Sequence, residues 1–391
     1  MLIGVDGTCL ANERGYGRFA REVARAMVDI AREDQFLFFV DDDSRERLEL
    51  DAPNVRYVHV RTTAAAARAA SADGYRSPMD MLAMTRAVAR NRPDVFFSPA
   101  VYTYFPLPPR LPAVVTIHDA IAERFPALTL PSFRARMFWG MKVKMALRQA
   151  TRILTVSDYA ADDIAAVDRI PRQKIDVANE APARSFIPRN EEVVRKEQRR
   201  LKLPEGARWF IYVGGFNPHK NIDSIIRSHA VTVARLKDDP PHLLLVGTLE
   251  NDVFFGNVAS AKAEAETAGT SSLVHWTGFI PDERLSALHS GAIALLLPSA
   301  AEGFGLPAVE AAACGCPVIA TLESPLPVLL EGGGIFVPPG DDDNLSAAML
   351  SLATDAALRA SMCARGLTRA KSLTWEKCAD AVLSSLRAAA A

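Results

Sequence analysis

Cysteine is scarce in this chain: five in 391 residues, an odd number at irregular spacing. That excludes a disulfide framework as the organising device. Cys314-Gly-Cys316 is too tight for the usual zinc-ligand spacing, so the cysteines read as reduced packing residues. Long hydrophobic runs are also missing. No apolar stretch approaches the roughly 18 residues that a membrane-spanning helix needs. Neither sign of charge dominates: 45 Lys and Arg stand against 46 Asp and Glu, a net charge of −1, which excludes bulk affinity for nucleic acid. The first residues, Met1-Leu-Ile-Gly-Val-Asp6, lack the basic region and cleavage pattern of a signal peptide and read as a strand. A cytoplasmic protein is the expectation. The rest of the composition is ordinary, 49% hydrophobic and 23% charged, with length enough for two or three domains.

Strand and helix signals alternate along the first half. Segments 1–7, 36–40, 55–60, 94–98, 113–117 and 153–156 read as strands. A helix over 17–32 carries Phe19, Val23, Ala26, Met27 and Ile30 at helical spacing, and another covers 78–91. Such βαβα order predicts a parallel sheet with helices on both faces. A charged stretch from Pro188 to Pro204 reads as an interdomain linker with an exposed helix. A second alternation follows, with strands at 209–213, 243–246, 273–277, 292–298 and 318–320 and helices at 221–236, 282–290 and 307–314. The expected fold class is therefore α/β, two Rossmann-like domains over 1–188 and 189–373, plus a last helix within 374–391. The alanine-rich stretch 64–72 is the one mild low-complexity patch besides the alanine tail.

The most specific motif is Glu302-Gly-Phe-Gly-Leu-Pro-Ala-Val-Glu310. It follows an apolar run that reads as a doubly buried strand, and Pro307 suits the start of a helix. Free backbone N–H groups at that helix start make an anion site. The two flanking carboxylates would repel a phosphate placed beside them, so they better hold hydroxyls or stabilise positive charge. A ligand with phosphate at one end and hydroxyls around it fits, which is a nucleotide-sugar.

These residues resemble the signature of the retaining glycosyltransferases of family four, which have the GT-B fold of two Rossmann-like domains facing across a cleft. The resemblance covers almost the whole chain. Phe97-Ser-Pro99 and His118-Asp-Ala-Ile121 are further similar to bacterial polysaccharide mannosyltransferases, which makes GDP-mannose the first donor to consider. The resemblance implies that Glu310 holds the ribose hydroxyls, that Glu302 contacts the donor sugar, and that Gly303, Phe304, Gly305 and Leu306 line the donor. It also implies that the last helix crosses back onto the N-terminal domain.

A second constellation is Gly214-Gly-Phe-Asn-Pro-His-Lys-Asn221. Gly214 and Gly215 allow close approach of a ligand to the backbone. Lys220 stands at the start of the next helix, where the dipole disfavours a cation, so a bound diphosphate would compensate it. The alternative is a solvated loop lysine. His219 occupies the position where the family usually has arginine, which leaves Lys220 as the main phosphate cation. In the N-terminal half, Gly15-Tyr16-Gly17 reads as a loop between the first strand and first helix, matching the family's glycine-rich loop, and the resemblance implies that Gly15 and Gly17 bind the donor. His118 and Asp119 end a strand and could serve acid–base work. The resemblance assigns His118 to the donor sugar or acceptor, and places Tyr16, Asp119, Ser157 and Asn179 on the acceptor side.

Two aspartate triplets, 41–43 and 341–343, could hold a metal with phosphates, but the second reads better as a helix cap and the first as a loop opening after a strand. No metal and no other cofactor is expected, the nucleotide-sugar being a co-substrate. The implied activity is retaining transfer of a hexose to a glycan or lipid-linked glycan. A nucleotide-sugar epimerase on the same fold, or a non-enzymatic sugar binder, would be the other classes. Residues 76–152 contain twelve Lys or Arg against four Asp or Glu. Among them, Arg134, Arg136, Lys142, Lys144 and Arg148 interleave with Phe133, Met137, Phe138, Trp139 and Met141. That pattern suits an anionic acceptor, or contact with an anionic membrane at its inner face.

Overall fold

The computed structural model describes residues 1–12, 15–45, 50–63, 76–130, 132–249 and 258–391. The alanine-rich stretch 64–72 lies outside the described residues. The chain forms two compact units, one of Met1–Glu180 with Thr374–Ala391, the other of Ala181–Leu373.

The first unit is built on seven parallel strands: β1 Leu2–Asp6, β2 Gln35–Val40, β3 Val55–His59, β4 Val95–Ser98, β5 Ala113–Thr116, β6 Arg152–Thr155 and β7 Ile175–Val177. Their order is β3-β2-β1-β4-β5-β6-β7. β4 and β5 are buried along their whole length, as continuous apolar runs covered on both faces should be. The helix Gly15–Ile30 buries Phe19, Val23 and Met27. The last helix, Trp375–Ala390, packs on it through Trp375 against Phe19, and its Ser385 hydroxyl donates to Asp176 of β7 at 2.6 Å. These contacts make the chain's end part of this unit.

The second unit has six parallel strands: β8 Trp209–Val213, β9 His242–Val246, β10 Val274–Gly278, β11 Leu295–Leu297, β12 Val318–Thr321 and β13 Gly334–Val337. Their order is β10-β9-β8-β11-β12-β13. In each unit the strand order reverses beside the first strand, at β1/β4 and at β8/β11. A crevice opens at such a point, outside the carboxyl ends of the strands.

The stretch from Pro188 to Pro204 is not a linker, and the chain enters the second unit after Glu180 rather than after residue 188. The backbone N–H groups of Ile187 and Arg189 donate to the hydroxyls of Ser286 and Ser290 in the helix Asp282–Gly291. The helix Glu191–Arg200 is capped by Asn190 and buries Glu197, which accepts from Arg284 at 2.8 Å. Its remaining charges face outward, which is why the stretch resembled a solvated connector.

The second unit carries histidines that should make it acid-labile. Burial depresses His229 to about 4 and His289 to about 3. Both ring nitrogens of His289 are buried with no hydrogen-bond partner among the described residues. A group whose folded-state pKa is depressed contributes stability that is complete above its unfolded value, near 6.5, and is lost as pH falls toward the folded value. Each histidine should therefore cost about 2 kcal/mol between pH 6.5 and pH 5, at about 1.4 kcal/mol per pH unit. Urea unfolding at pH 5 and pH 7 checks this. His289→Leu should flatten the slope, and an unchanged slope would contradict the account.

Candidate functional site

In the second unit the site grows from the ends of β8 and β11. β8 leads into Gly214, whose φ is +156° and where a Cβ would stand 2.7 Å from the Tyr212 hydroxyl. That hydroxyl donates to the carbonyl of Gly215. The chain then makes a 3-10 turn, Pro218–Lys220, passes through left-handed Asn221 and enters the helix Ile222–Arg235. β11 leads into the segment Pro298 to Gly305. The two segments are stapled together: the Ala300 N–H donates to the His219 carbonyl at 2.7 Å, and the Asn221 side-chain amide to the Pro298 carbonyl at 2.8 Å.

Across this staple Lys220 Nζ donates to Glu302 Oε1 at 2.7 Å, and the Ser299 hydroxyl reaches the same oxygen at 2.6 Å. The two sequence motifs thus meet directly. This corrects the expectation that Lys220 is an uncompensated cation at a helix start. It sits in the turn before Asn221, and Glu302 is its counter-ion. It also changes the view of Glu302, whose nearly buried carboxylate is engaged by two protein groups. Burial, with the Glu302 charge, pushes the nearby Tyr212 phenol well above its usual range.

Gly305 has φ +84° and begins the helix Leu306–Ala313. A Cβ there would also meet the Leu326 side chain at 2.7 Å, so glycine is needed for both reasons. Phe304 and Leu306 are buried beside it, and Glu310, at 4% exposure, lies inside the helix. Gly303, between Glu302 and Phe304, is buried too.

In the first unit Gly15-Tyr16-Gly17 is not a loop. The helix begins at Gly15, and these residues are its first turn. A Cβ on Gly17 would lie 2.0 Å from the Asn12 carbonyl oxygen, whereas one on Gly15 would meet nothing. The close approach is thus to the chain's own backbone at Gly17. Tyr16 stacks on Tyr102 with ring centroids 4.7 Å apart, and its ring is 6.5 Å from that of His118. His118 Nε2 donates to the Pro99 carbonyl at 3.0 Å, while Nδ1 lies 3.6 Å from Glu180 Oε1. Phe19 meets the imidazole edge-on at 4.9 Å. Asp119 accepts from the Ile121 N–H at 2.9 Å, at the start of the short helix Ile121–Arg124. Ser157 is buried and caps the helix Asp158–Asp168 by accepting from the Ala160 N–H at 3.0 Å. Asn179 is half-buried after β7, next to Glu180.

Comparison with known proteins decides the family. Residues 193–368 match the family Glycosyl transferases group 1, and residues 14–179 match Glycosyltransferase Family 4. The O-antigen chain mannosyltransferase B of Escherichia coli is 30% identical over 286 residues, covering 72% of this chain and 72% of that one. The chain belongs to the GT-B glycosyltransferases. The O-antigen chain mannosyltransferase RfbU of Salmonella typhimurium is 28% identical, over 61% of this chain and 60% of its own. Sucrose-phosphate synthase from Thermosynechococcus elongatus shares the fold with a TM-score of 0.76 at 20% identity, over 99% of this chain and 98% of that chain. Anabaena HepE, solved in complex with UDP and glucose, does so with a TM-score of 0.73 at 16% identity, over 99% of both chains.

The aspartate triplets of this glycosyltransferase have structural roles. Asp341 caps the helix Asp342–Thr354, and Asp342 pairs with Arg227 at 2.6 Å. Asp41 accepts from the Ser44 N–H. Among the described residues no group of three His, Cys, Asp or Glu could hold a metal ion. Sequence reasoning missed Ser299 and Glu180. Ser299 directly follows the β11 run at the crevice edge, a position that could have been flagged. Glu180 showed only as the neighbour of Asn179.

Proposed function

We propose that this glycosyltransferase moves a hexose, with mannose from GDP-mannose as the first choice, onto a glycan or lipid-linked glycan during surface polysaccharide synthesis, with retention of configuration. The observation that carries the proposal is the Lys220–Glu302 pair beside the glycine-started helix Leu306–Ala313, at the strand-order reversal of the second unit. The mannosyltransferase relatives support the choice of sugar and product. The donor diphosphate is assigned to Lys220 and the N–H groups near Gly305, where the helix dipole favours an anion. Glu310 takes the ribose hydroxyls. Glu302 orients Lys220 and reaches the sugar. The departing phosphate accepts the acceptor's proton on the face of attack, while the sugar ring carries positive charge. No side-chain nucleophile is invoked, and stabilising the leaving diphosphate is the main electrostatic task. His118, Asp119 and Tyr16 are assigned to the acceptor side.

The test measures nucleoside diphosphate release with and without acceptor, beside a thermal-shift panel of GDP, UDP and dTDP. A nucleotide at a hundred times its dissociation constant should stabilise by about 2.7 kcal/mol. Acceptor-dependent release that survives EDTA is expected. Loss in EDTA restored by Mg²⁺ or Mn²⁺ would overturn the metal-free mechanism, and epimerisation without release would overturn the transferase reading.

The same proposal includes contact with an anionic membrane surface. No helix among the described residues is long and apolar enough to cross a membrane. The helix Phe133–Gln149, however, buries Ala135, Val143 and Ala146 and leaves Phe133, Met137, Phe138 and Met141 exposed, Phe133 by 81%. Arg134, Lys144 and Arg148 are exposed as well, and Arg134 lies over the Phe138 ring. Apolar and basic groups share the outer side of the helix, while small residues face inward. Sedimentation with anionic liposomes should capture the protein at low salt and less at high salt. No capture under either condition would end this part of the proposal.

A further inference from the structure

Two cations in the first unit have no ion-pair partner among the described residues. Arg76 donates through Nη1 to the Thr103 carbonyl at 2.7 Å, and its Nε and Nη2 are buried with no hydrogen-bond partner among the described residues. Lys142 donates to the adjacent carbonyl, that of Tyr102, at 3.3 Å, and its ammonium lies 5.7 Å from the centre of the Trp139 ring. The two side chains therefore converge on successive residues of the turn Val101–Thr103. Among the described residues neither has a carboxylate within ion-pair distance. The buried acid near them, Asp6, feels the Arg76 charge but makes its hydrogen bonds to Thr8 and Thr103. A guanidinium with unmet buried donors beside a second cation is costly unless an anion meets both. Burial, followed by the Arg76 charge, holds the Lys142 ammonium down at about 8, and an anion would reverse that effect. Tyr102, whose carbonyl receives Lys142, is the residue on which Tyr16 stacks, so the pair adjoins the residues assigned to the acceptor.

We propose that Arg76 and Lys142 form the seat for a phosphate group of the acceptor, with Tyr16 and Tyr102 walling the path toward His118. This rests on the glycosyltransferase reading above and narrows its acceptor to a phosphorylated one. The planar guanidinium fork suits two phosphate oxygens, and the ammonium supplies a point charge to a third. A group carrying about two negative charges matches the two cations better than a single carboxylate does.

The experiment titrates inorganic phosphate and pyrophosphate calorimetrically into the full chain, with nucleoside diphosphate already saturating the second unit. Binding is expected. Arg76→Gln and Lys142→Gln should each weaken it about tenfold or more, the scale of one charge-assisted contact. Lys142→Arg should retain most of it, and nucleotide affinity should be unchanged in all three variants. Wild-type protein that binds neither probe, or variants that bind them as tightly as wild type, would overturn the seat even with donor binding intact. Failure of nucleotide binding together with variant-sensitive pyrophosphate binding would instead remove the donor assignment and leave the seat standing. Geranyl diphosphate and glucose 1-phosphate separate the sources. Preference for the first marks a lipid-linked acceptor and for the second a soluble sugar phosphate, and either preference must vanish in both glutamine variants for the proposal to survive.

Discussion

Replacing Lys220 by alanine is expected to lower turnover by roughly two to three orders of magnitude, the scale of losing one preorganised charge contact to a developing anion. The geometry adds a second consequence. Lys220 and Glu302 are ion-paired at 2.7 Å, with side chains 19% and 9% exposed. Removing the lysine leaves Glu302 with the Ser299 hydroxyl on the same oxygen and without a counter-ion. An uncompensated group of this kind costs about 1–3 kcal/mol. Stability and turnover should therefore both fall, and the two losses can be separated. In the double variant Lys220→Ala with Glu302→Gln, the neutral amide removes the stranded charge, so much of the stability should return while turnover stays low. Urea unfolding and steady-state kinetics on the three proteins read this as a departure from additivity. A folded Lys220→Ala enzyme with near-normal turnover would sink the assignment of Lys220 to the diphosphate.

That pairing marks the boundary of what the residues alone could show. Each partner was visible as a motif, because glycines, a strand end and a helix start stand together in both. Their contact was not, since it spans 82 positions and depends on β11 crossing over to lie beside β8 while β9 and β10 go to the other side. Doubly buried strands were legible because such strands are continuous apolar runs, as in Leu295–Leu297. β7 was missed because three residues, Ile175–Val177, carry too little pattern to register. The helices Asp158–Asp168, Val258–Thr267 and Ala356–Lys371 were passed over for a different reason. Alanine and charged residues dominate them, and few large apolar side chains mark their buried faces. Gly15-Tyr16-Gly17 was misread because glycine is a poor helix former, and only the close packing of Gly17 on Asn12 explains it in a first turn. Arg76 and Lys142 were seen as members of a basic stretch. Their convergence on Tyr102 and Thr103 comes from β4 and β5 being neighbours, with the helix Phe133–Gln149 packed beside them.

The two glutamates of the motif should fail in different ways when made neutral. Glu302 Oε1 accepts from both Lys220 and Ser299, so it fixes where the lysine ammonium stands. Glu302→Gln keeps the shape but weakens that hold. The cation is then free to drift from the position where charge develops on the leaving phosphate. The expected result is a fall in kcat of about one to two orders of magnitude with a small change in donor KM, because the lost interaction matters most in the transition state. Glu310 is buried further along the helix Leu306–Ala313, away from the helix start to which the diphosphate is assigned. Its assigned partners are ribose hydroxyls, which are held equally in the ground and transition states. Glu310→Gln should therefore raise donor KM about tenfold and leave kcat within about twofold, the signature of losing uniform binding. Initial rates measured against donor concentration at saturating acceptor distinguish the two patterns. Identical kinetic defects in the two variants would show that the carboxylates act as one unit, and the division of labour between sugar and ribose would have to be abandoned.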